Sequence, residues 1–238
     1  MEQQSLDIIL PCFNPIVGWN NNIIESFNTI KQQLPDVDIK LILINDGASK
    51  GINDLLINEI AKSITAFQYI NYTENRGKGF ALRQGVAASA ANYCIYTDVD
   101  FPYTNESFLK VWDLLSTNKT DIAVGIKDEN YYKHVPPFRK FISKLLRACT
   151  GFVLRLKVTD TQCGLKGFNQ SGKSVFLTTT IDRYLFDLEF IFLASRQKNI
   201  RVQPIPIELK ENIQFSSMRA RILFAESINF LKIFFRSF

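Results

Sequence analysis

Short apolar runs alternate with longer amphipathic stretches through the first half of the chain. The short runs are rich in β-branched and aromatic residues, and they predict strands at 6–13, 39–44, 67–72, 93–97 and 122–125. Apolar residues at helical spacing between them predict helices, the first with Asn22 as its N-cap and the others at 52–64, 79–91 and 107–115. This alternation predicts an α/β fold with helices covering a mostly parallel central sheet.

The second half of the chain interleaves basic and apolar residues. Residues 133–157 contain seven Lys or Arg and no acid, set among Phe, Ile and Leu, and residues 219–238 repeat the pattern with five Phe. Between these stretches we expect a helix at 186–194 and a strand at 200–207. Each basic stretch can bind an anionic membrane surface or pack against the sheet, and the tail can also form a homodimer interface.

Composition and charge narrow the class of protein. The 238 residues are 46% hydrophobic and 21% charged, which excludes a collagen-like or disordered chain. The net charge of +5 hides an asymmetry, because residues 1–118 hold 8 Lys and Arg against 13 Asp and Glu, whereas the rest holds 20 against 10. An acidic front and a basic back predict two functions in one chain.

Cysteine usage and hydropathy indicate a cellular location. The four cysteines have neither metal-ligand spacing nor the density of a disulfide framework, so we expect reduced thiols in a cytoplasmic protein. The first residues lack the basic region of a signal peptide, and no run of 18 apolar residues predicts a membrane-spanning helix.

Polar residues follow three of the predicted strands at their carboxyl ends. They are Pro11–Asn14, Asn45–Gly47 and Asp98–Asp100. In an open α/β sheet, ligands bind at this edge, so these residues are candidates for a binding site. The sequence Asp-Val-Asp also occurs at 36–38, but there it precedes a strand and predicts an exposed turn.

The second Asp-Val-Asp has the composition of a cation site. Asp98 and Asp100 lie one residue apart, and Mg²⁺ or Mn²⁺ prefers one or two carboxylates completed by diphosphate oxygens and water. A capping or turn function is the alternative for such a pair.

Two glycines flank Lys78 at the start of a predicted helix. Glycine allows backbone amides to approach a phosphate, and a helix N-terminus favours anions. The segment 75–79 therefore predicts a phosphate contact, with a simple strand-to-helix turn as the alternative. It matches neither the P-loop nor the dinucleotide-binding pattern.

These motifs, in this order, resemble family 2 glycosyltransferases with the GT-A nucleotide-sugar-binding fold. Two later segments, 160–168 and 186–190, are similar to the branch that contains dolichyl-phosphate glucosyltransferases and dolichol-phosphate mannosyltransferases. The resemblance covers about residues 6–210. It implies a transferase domain at 1–210, with a nucleotide-sugar-binding half at 1–125 and an acceptor half at 126–210, followed by an amphipathic tail at 211–238.

The resemblance also implies functions for individual residues. Asp100 would bind the metal. Asp98 would face the ribose or donor sugar and would also be a metal ligand. Residues expected to bind the nucleotide sugar are Pro11, Phe13, Asn14, Asn45, Asp46, Gly47, Lys78 and Asp98. Residues expected to hold the phosphate of the acceptor are Lys127, Arg139, Ser143 and Arg219.

The implied activity is a metal-dependent, inverting transfer from a UDP- or GDP-sugar to a polyprenyl phosphate, by a peripheral protein on the cytoplasmic face of a membrane. A phosphate acceptor is already anionic and needs no general base. A glycan hydroxyl acceptor would need one, and Asp187 or Glu189 would be the catalytic carboxylate.

Departures from the family pattern leave one further alternative open. Pro15 stands where the family usually has Glu, and Asn45 where it usually has an acid. A membrane-associated binding module without turnover would fit these changes. We expect no nucleic-acid binding, because no nucleic-acid motif accompanies the basic residues.

Overall fold

A seven-stranded sheet forms the centre of the protein. The computed structural model describes residues 3–127, 160–210 and 220–235, with isolated positions at 140, 144, 147, 148, 150, 151, 154, 156 and 158. The strands are β1 (Ser5–Cys12), β2 (Asp38–Asp46), β3 (Phe67–Tyr72), β4 (Tyr93–Tyr96), β5 (Ile122–Lys127), β6 (Lys166–Asn169) and β7 (Val202–Ile207). Their order is β3-β2-β1-β4-β6-β5-β7, and only β6 runs antiparallel to its neighbours.

Helices cover both faces of the sheet. They are α1 (Trp19–Gln33), α2 (Asp54–Ser63), α3 (Lys78–Ala88), α4 (Asn105–Ser116), α5 (Gln170–Phe176), α6 (Phe186–Ser195) and α7 (Ala220–Phe235). Helices α1, α2 and α4 bury their apolar residues in one core cluster, and α3, α5, α6 and α7 contribute to the other. Successive β-strand residues point to opposite faces, so Ile42 and Leu43 of β2 enter different clusters.

The predicted α/β fold with a mostly parallel sheet is confirmed, and one helix start is wrong. Helix α1 begins at Trp19, and its N-cap is Gly18, whose φ of 85° lies in the left-handed region. Glycine adopts this conformation without steric cost, so the chain turns into the helix before Asn22. The amide of Asn22 donates to the Gly18 carbonyl at 3.2 Å, inside the first turn.

Part of each basic stretch packs against the sheet. Leu154 and Leu156 are buried in the second core cluster, and so is Ile233 of α7. Leu231 and Phe235 of the same helix are exposed. No described helix is both long and apolar enough to cross a membrane. The domain boundary expected at residue 210 stays a prediction.

An ion pair ties the far edge of the sheet together. Arg201, just before β7, donates to both carboxylate oxygens of Asp121, through Nε at 3.0 Å and Nη2 at 3.1 Å. Asn169 of β6 donates to the same carboxylate at 2.9 Å. Hydrogen bonding from Arg201 is the main reason that the pKa of Asp121 falls to about 2.

We expect Asp121→Asn to destabilise the fold in a pH-dependent manner. A carboxyl group whose folded-state pKa is depressed stabilises the fold above its unfolded-state pKa, and this stabilisation is lost as pH falls towards about 2. Urea unfolding at pH 7 should show a loss of about 1–3 kcal/mol, which shrinks at pH 3. Asp113→Asn, on the exposed surface of α4, is the control. A loss that does not depend on pH would contradict this explanation.

Candidate active site

Parallel pairing brings the predicted site residues to one edge of the sheet. Strand β1 pairs in parallel with β2 and with β4, and Cys12 lies opposite Asn45. The residues that follow these strands therefore emerge side by side. Asp36 and Asp38, at the opposite end of β2, are exposed as expected for a turn.

The loop after β1 holds the loop after β2. Asn14 has a φ of 46°, and its Oδ1 accepts from the amides of Ser49 at 2.9 Å and Lys50 at 3.1 Å. Trp19 Nε1 donates to the Gly51 carbonyl at 2.9 Å. Phe13, beside Asn14, leaves 49% of its surface exposed, so its ring is available to a ligand. Contacts from Pro11, Phe13 and Asn14 to a nucleotide stay a prediction.

Asp46, at the end of β2, is almost completely buried and accepts four hydrogen bonds. Its Oδ1 accepts from Tyr72 Oη at 2.9 Å and from the Arg76 amide at 2.8 Å. Its Oδ2 accepts from Asn75 Nδ2 at 2.8 Å and from the Gly77 amide at 2.9 Å. A carboxylate has about four acceptor positions, so these bonds use its capacity to hold the loop before α3.

The neighbours of Asp46 belong to the same packed corner. Asn45 donates to Tyr69 Oη and Asn71 Oδ1, and it accepts from the Ala48 amide. Gly47 has a φ of 64°, and a Cβ there would lie 2.5 Å from the Asn75 amide nitrogen. Only glycine allows the two loops to approach so closely. Contacts from Asn45, Asp46 and Gly47 to a nucleobase stay a prediction.

The structure corrects the phosphate contact expected at the glycines of 75–79. The amide of Gly77 donates to Asp46, and the amides of Gly79 and Phe80 donate to the Asp182 carbonyl at 2.7 and 3.1 Å. Protein acceptors therefore occupy the amides of both glycines, and a contact from Lys78 to the nucleotide stays a prediction. The strand-to-helix turn, given above as the alternative, is what the chain forms here.

Lys78, the first residue of α3, forms an ion pair with Asp98. Burial alone would lower the pKa of Lys78, but the carboxylates of Asp98 and Asp187 outweigh it and hold the pKa above its usual range. The ammonium group is therefore a fixed positive charge beside the end of β4.

Asp98 and Asp100 have the features of half a cation site. Burial, and then the neighbouring carboxylate of Asp98, raise the pKa of Asp100. A divalent cation would relieve this repulsion, so the pair fits Mg²⁺ or Mn²⁺ with diphosphate oxygens as further ligands. No group of three or more His, Cys, Asp or Glu in the described part of the chain could hold a metal alone.

The segment 160–164 approaches Asp98 from another side. A Cβ on Gly164 would lie 2.5 Å from Asp98 Oδ2 and 3.1 Å from Tyr103 Oη. The Gly164 amide donates to this Tyr103 hydroxyl at 2.9 Å. Because residue 164 is a glycine, the Asp98 carboxylate has room to lie beside the backbone there.

The two carboxylates expected to act as a base are buried and engaged. Asp187 forms an ion pair with Lys166 Nζ at 2.5 Å and accepts from Tyr96 Oη at 2.5 Å. Glu189 is fully buried, and its carboxylate accepts from the amides of Thr180 and Ile181 at 2.8 Å. Both carboxylates orient backbone or side-chain groups here, and a catalytic function for either of them stays a prediction.

The expected acceptor site has a buried carboxylate at its centre. Asp160 accepts from the Lys127 amide at 2.6 Å and from Arg147 Nη2 at 2.5 Å. Lys127 Nζ donates to the Gln162 carbonyl at 3.2 Å and lies 3.7 Å from Asp160 Oδ1. Arg139, Ser143 and Arg219 lie outside the described residues.

Two residues of the site were missed from the sequence. Lys166 lies within the segment 160–168 and is completely buried, but the sequence pattern does not single it out. Arg147 was counted only among the basic residues of 133–157. The sequence signal that could have identified them is the shortage of acidic residues nearby in the chain. A buried cation without a near acidic neighbour needs a distant one, which is Asp187 for Lys166 and Asp160 for Arg147.

Comparison with known proteins identifies the class of this chain. Residues 7–173 match the family described as Glycosyl transferase family 2, so the chain belongs to this family. It is 25% identical over 220 residues to the dolichyl-phosphate beta-glucosyltransferase of Dictyostelium discoideum, covering 87% of this chain and 66% of that protein. It is 28% identical over 203 residues to a dolichyl-phosphate beta-glucosyltransferase of Trichomonas vaginalis, covering 82% and 61%. A third or more of each relative thus lies outside the match.

Solved structures support the fold. Mannosyl-3-phosphoglycerate synthase from Rubrobacter xylanophilus superposes with a TM-score of 0.67 at 12% identity, covering 98% of this chain and 73% of that one. Glucosyl-3-phosphoglycerate synthase from Mycobacterium tuberculosis, solved with Mn²⁺, UDP-glucose and phosphoglyceric acid, superposes with a TM-score of 0.64 at 15% identity, covering 98% and 79%. The protein therefore has the GT-A-like fold expected from the sequence.

We expect Asp46→Asn to destabilise the protein. The amide group would place a donor where the oxygens of Asp46 now accept from four donors, so unfolding in urea should require about 3 kcal/mol less free energy. The control is Asp36→Asn in the exposed turn, which should change stability by less than about 0.5 kcal/mol. Equal effects of the two substitutions would show that the buried hydrogen bonds do not stabilise this corner.

Proposed function

We propose that this protein transfers a sugar from a nucleotide-sugar donor to a polyprenyl phosphate. The observation that carries the proposal is the segment 160–164, which links two charged groups. At one end Asp160 holds the cations Lys127 and Arg147, and at the other Gly164 lies against Asp98. These ends are four positions apart in the chain, so their Cα atoms are at most about 14 Å apart. Donor and acceptor sites at this separation suit a direct transfer.

The donor would bind at the carboxyl edge of β1, β2 and β4. The exposed ring of Phe13 is available to a base, and Lys78 provides positive charge close to Asp98 and Asp100. These two carboxylates would hold Mg²⁺ or Mn²⁺, which supplies charge neutralisation of the diphosphate leaving group. Both a UDP-sugar and a GDP-sugar fit these features.

The acceptor phosphate would bind beside Lys127 and Arg147. Arg147 reaches Asp160 and the Lys127 carbonyl, so two cations lie around one carboxylate. Thr161 Oγ1 and Gln162 Nε2 are buried without a hydrogen-bond partner among the described residues. Phosphate oxygens would satisfy both. Contacts from Arg139, Ser143 and Arg219 to the same phosphate remain part of the proposal.

The reaction would need no general base. A phosphate monoester loses its second proton with a pKa of about 6, so its oxygen is already a nucleophile at neutral pH. This oxygen forms a bond to the anomeric carbon as the bond to the diphosphate breaks, and the electron pair leaves with the diphosphate. Attack opposite the leaving group inverts the anomeric carbon. Neither Asp187 nor Glu189 would then act as a general base, which agrees with their burial and with their hydrogen bonds inside the protein.

A lipid acceptor requires the protein to approach a membrane. Leu231 and Phe235 of α7 are exposed, at 51% and 71% of their surface, although Ile233 between them is buried. Together with the basic residues of 133–157, they would bind an anionic membrane surface, on the cytoplasmic face in our proposal. A homodimer through the same helix is the competing use of these side chains.

Transfer of radiolabelled sugar tests this function. We expect sugar from UDP-glucose or GDP-mannose to reach polyprenyl phosphate in the presence of Mn²⁺ or Mg²⁺, and faster in vesicles with anionic lipid than in neutral vesicles. Asp100→Asn should reduce transfer about 100-fold, because the charge that holds the metal is lost. Asp36→Asn should leave transfer unchanged.

Two results would contradict the proposal. Transfer only to a glycan hydroxyl would favour the alternative acceptor. Nucleotide-sugar binding without transfer to any acceptor would favour a binding module without turnover, in line with Pro15 and Asn45.

A further inference from the structure

Lys166 is a completely buried lysine on the central sheet. It is the first residue of β6, directly opposite Tyr96, the last residue of β4. Its ammonium group and the Tyr96 hydroxyl both contact Asp187 Oδ1, each at 2.5 Å. Burying an ion pair costs solvation energy, and well-packed apolar residues are often at least as stable. A contribution to stability alone is therefore a weak explanation for this lysine.

Lys166 also holds the segment that lies against Asp98. Its Nζ donates to the Cys163 carbonyl, next to Gly164. A Cβ on Gly164 would collide with Asp98 Oδ2 at 2.5 Å, so backbone and carboxylate are already in contact. A movement of the Cys163 carbonyl would therefore change the space around Asp98.

The ion pair of Lys166 with Asp187 also affects Asp98, through a series of charged side chains. Gly79, next to Lys78, packs against Phe186, next to Asp187, so the Asp187 carboxylate acts on Lys78, and Lys78 forms the ion pair with Asp98. The charges of Asp98, Lys78, Asp187 and Lys166 therefore alternate in sign. Neutralisation of Asp187 by Lys166 leaves Lys78 free to pair with Asp98.

We propose that Lys166 is a positioning residue for the donor site: it neutralises Asp187 and holds the Cys163 carbonyl, and so keeps Lys78 and Gly164 in place against Asp98. This inference rests on the proposed function, because Asp98 is taken as part of the donor site. Lys166 touches no substrate in this mechanism. Its effect passes through Lys78 and Gly164.

Removing Lys166 alone has a defined consequence. In Lys166→Met, Asp187 keeps the Tyr96 hydroxyl but loses its ion-pair partner, and its unneutralised charge competes with Asp98 for Lys78. In Lys166→Met/Asp187→Asn, this competing charge is gone, and the amide that replaces the carboxylate still offers an oxygen to Tyr96. The second substitution should therefore return Lys78 to Asp98.

Calorimetric titration with UDP and with GDP, each with Mn²⁺, measures the effect. We expect Lys166→Met to weaken binding of the preferred nucleotide about 10- to 100-fold, the usual range for residues that orient a metal ligand. The double variant should recover to within about fivefold of the wild type, and the remaining loss would reflect the missing bond to the Cys163 carbonyl. Lys173→Met is the matched control, because Lys173 also donates to a backbone carbonyl, that of Ser89, but contacts none of these residues. It should bind as the wild type does.

Two calorimetric results would overturn the inference: unchanged binding by a folded Lys166→Met variant, or a double variant at least tenfold weaker than the wild type. Weak binding by the double variant would overturn the inference even if the single variant does not fold.

Crystal structures of the variants separate this inference from the proposed function. If the wild type binds neither nucleotide, the proposed function fails, but the position of Lys78 still tests the role of Lys166. Movement of Lys78 Nζ from Asp98 to Asp187 in Lys166→Met, or its return to Asp98 in the double variant, would support the inference. A Lys78–Asp98 contact unchanged in the single variant, or not restored in the double variant, would overturn it.

Discussion

The buried carboxylate of Asp46 is the interaction on which the geometry of the site depends. It joins β2 to β3 through Tyr72 and to the loop before α3 through Asn75, Arg76 and Gly77. Because this loop is fixed, α3 begins at Lys78, and the lysine reaches Asp98 across the sheet edge. Gly47 makes the arrangement possible, since any side chain there would collide with the backbone at Asn75. Asp46, the residue expected to bind the nucleobase, therefore fixes the loop from which Lys78 reaches Asp98.

Opposite charges in alternation organise the rest of the site. Each carboxylate that is buried has a cation or several backbone donors, as Asp160 has Lys127 and Arg147, and Asp187 has Lys166. The acidic first half and the basic second half of the chain therefore explain less about the site than these local ion pairs do. Two cations lie beside Asp160, and partly exposed carboxylates lie at Asp98 and Asp100. In the proposed function, a phosphate acceptor would bind at the first of these places and a cation with its nucleotide at the second.

Much of the fold followed from the sequence, because strand and helix periods and the strand-end rule depend on local pattern. The same rule separated Asp98–Asp100 from the exposed Asp36–Asp38. Other features depend on contacts between distant residues. The glycines of 75–79 predicted a phosphate contact, but the Gly77 amide donates to Asp46 and the Gly79 amide donates to the Asp182 carbonyl. Strand β6 was missed because it is four residues long and contains Lys166, whose burial is possible only with Asp187.

The central claim is that Asp98 and Asp100 form the cation half of a nucleotide-sugar site at the carboxyl edge of the sheet. Anomalous diffraction at the manganese edge, from crystals grown with Mn²⁺ and UDP, tests it most directly. We expect a manganese peak in contact with the Asp100 carboxylate and a nucleotide diphosphate beside it. A nucleotide bound at this edge without manganese at Asp100, or a peak at another place in the protein, would contradict it.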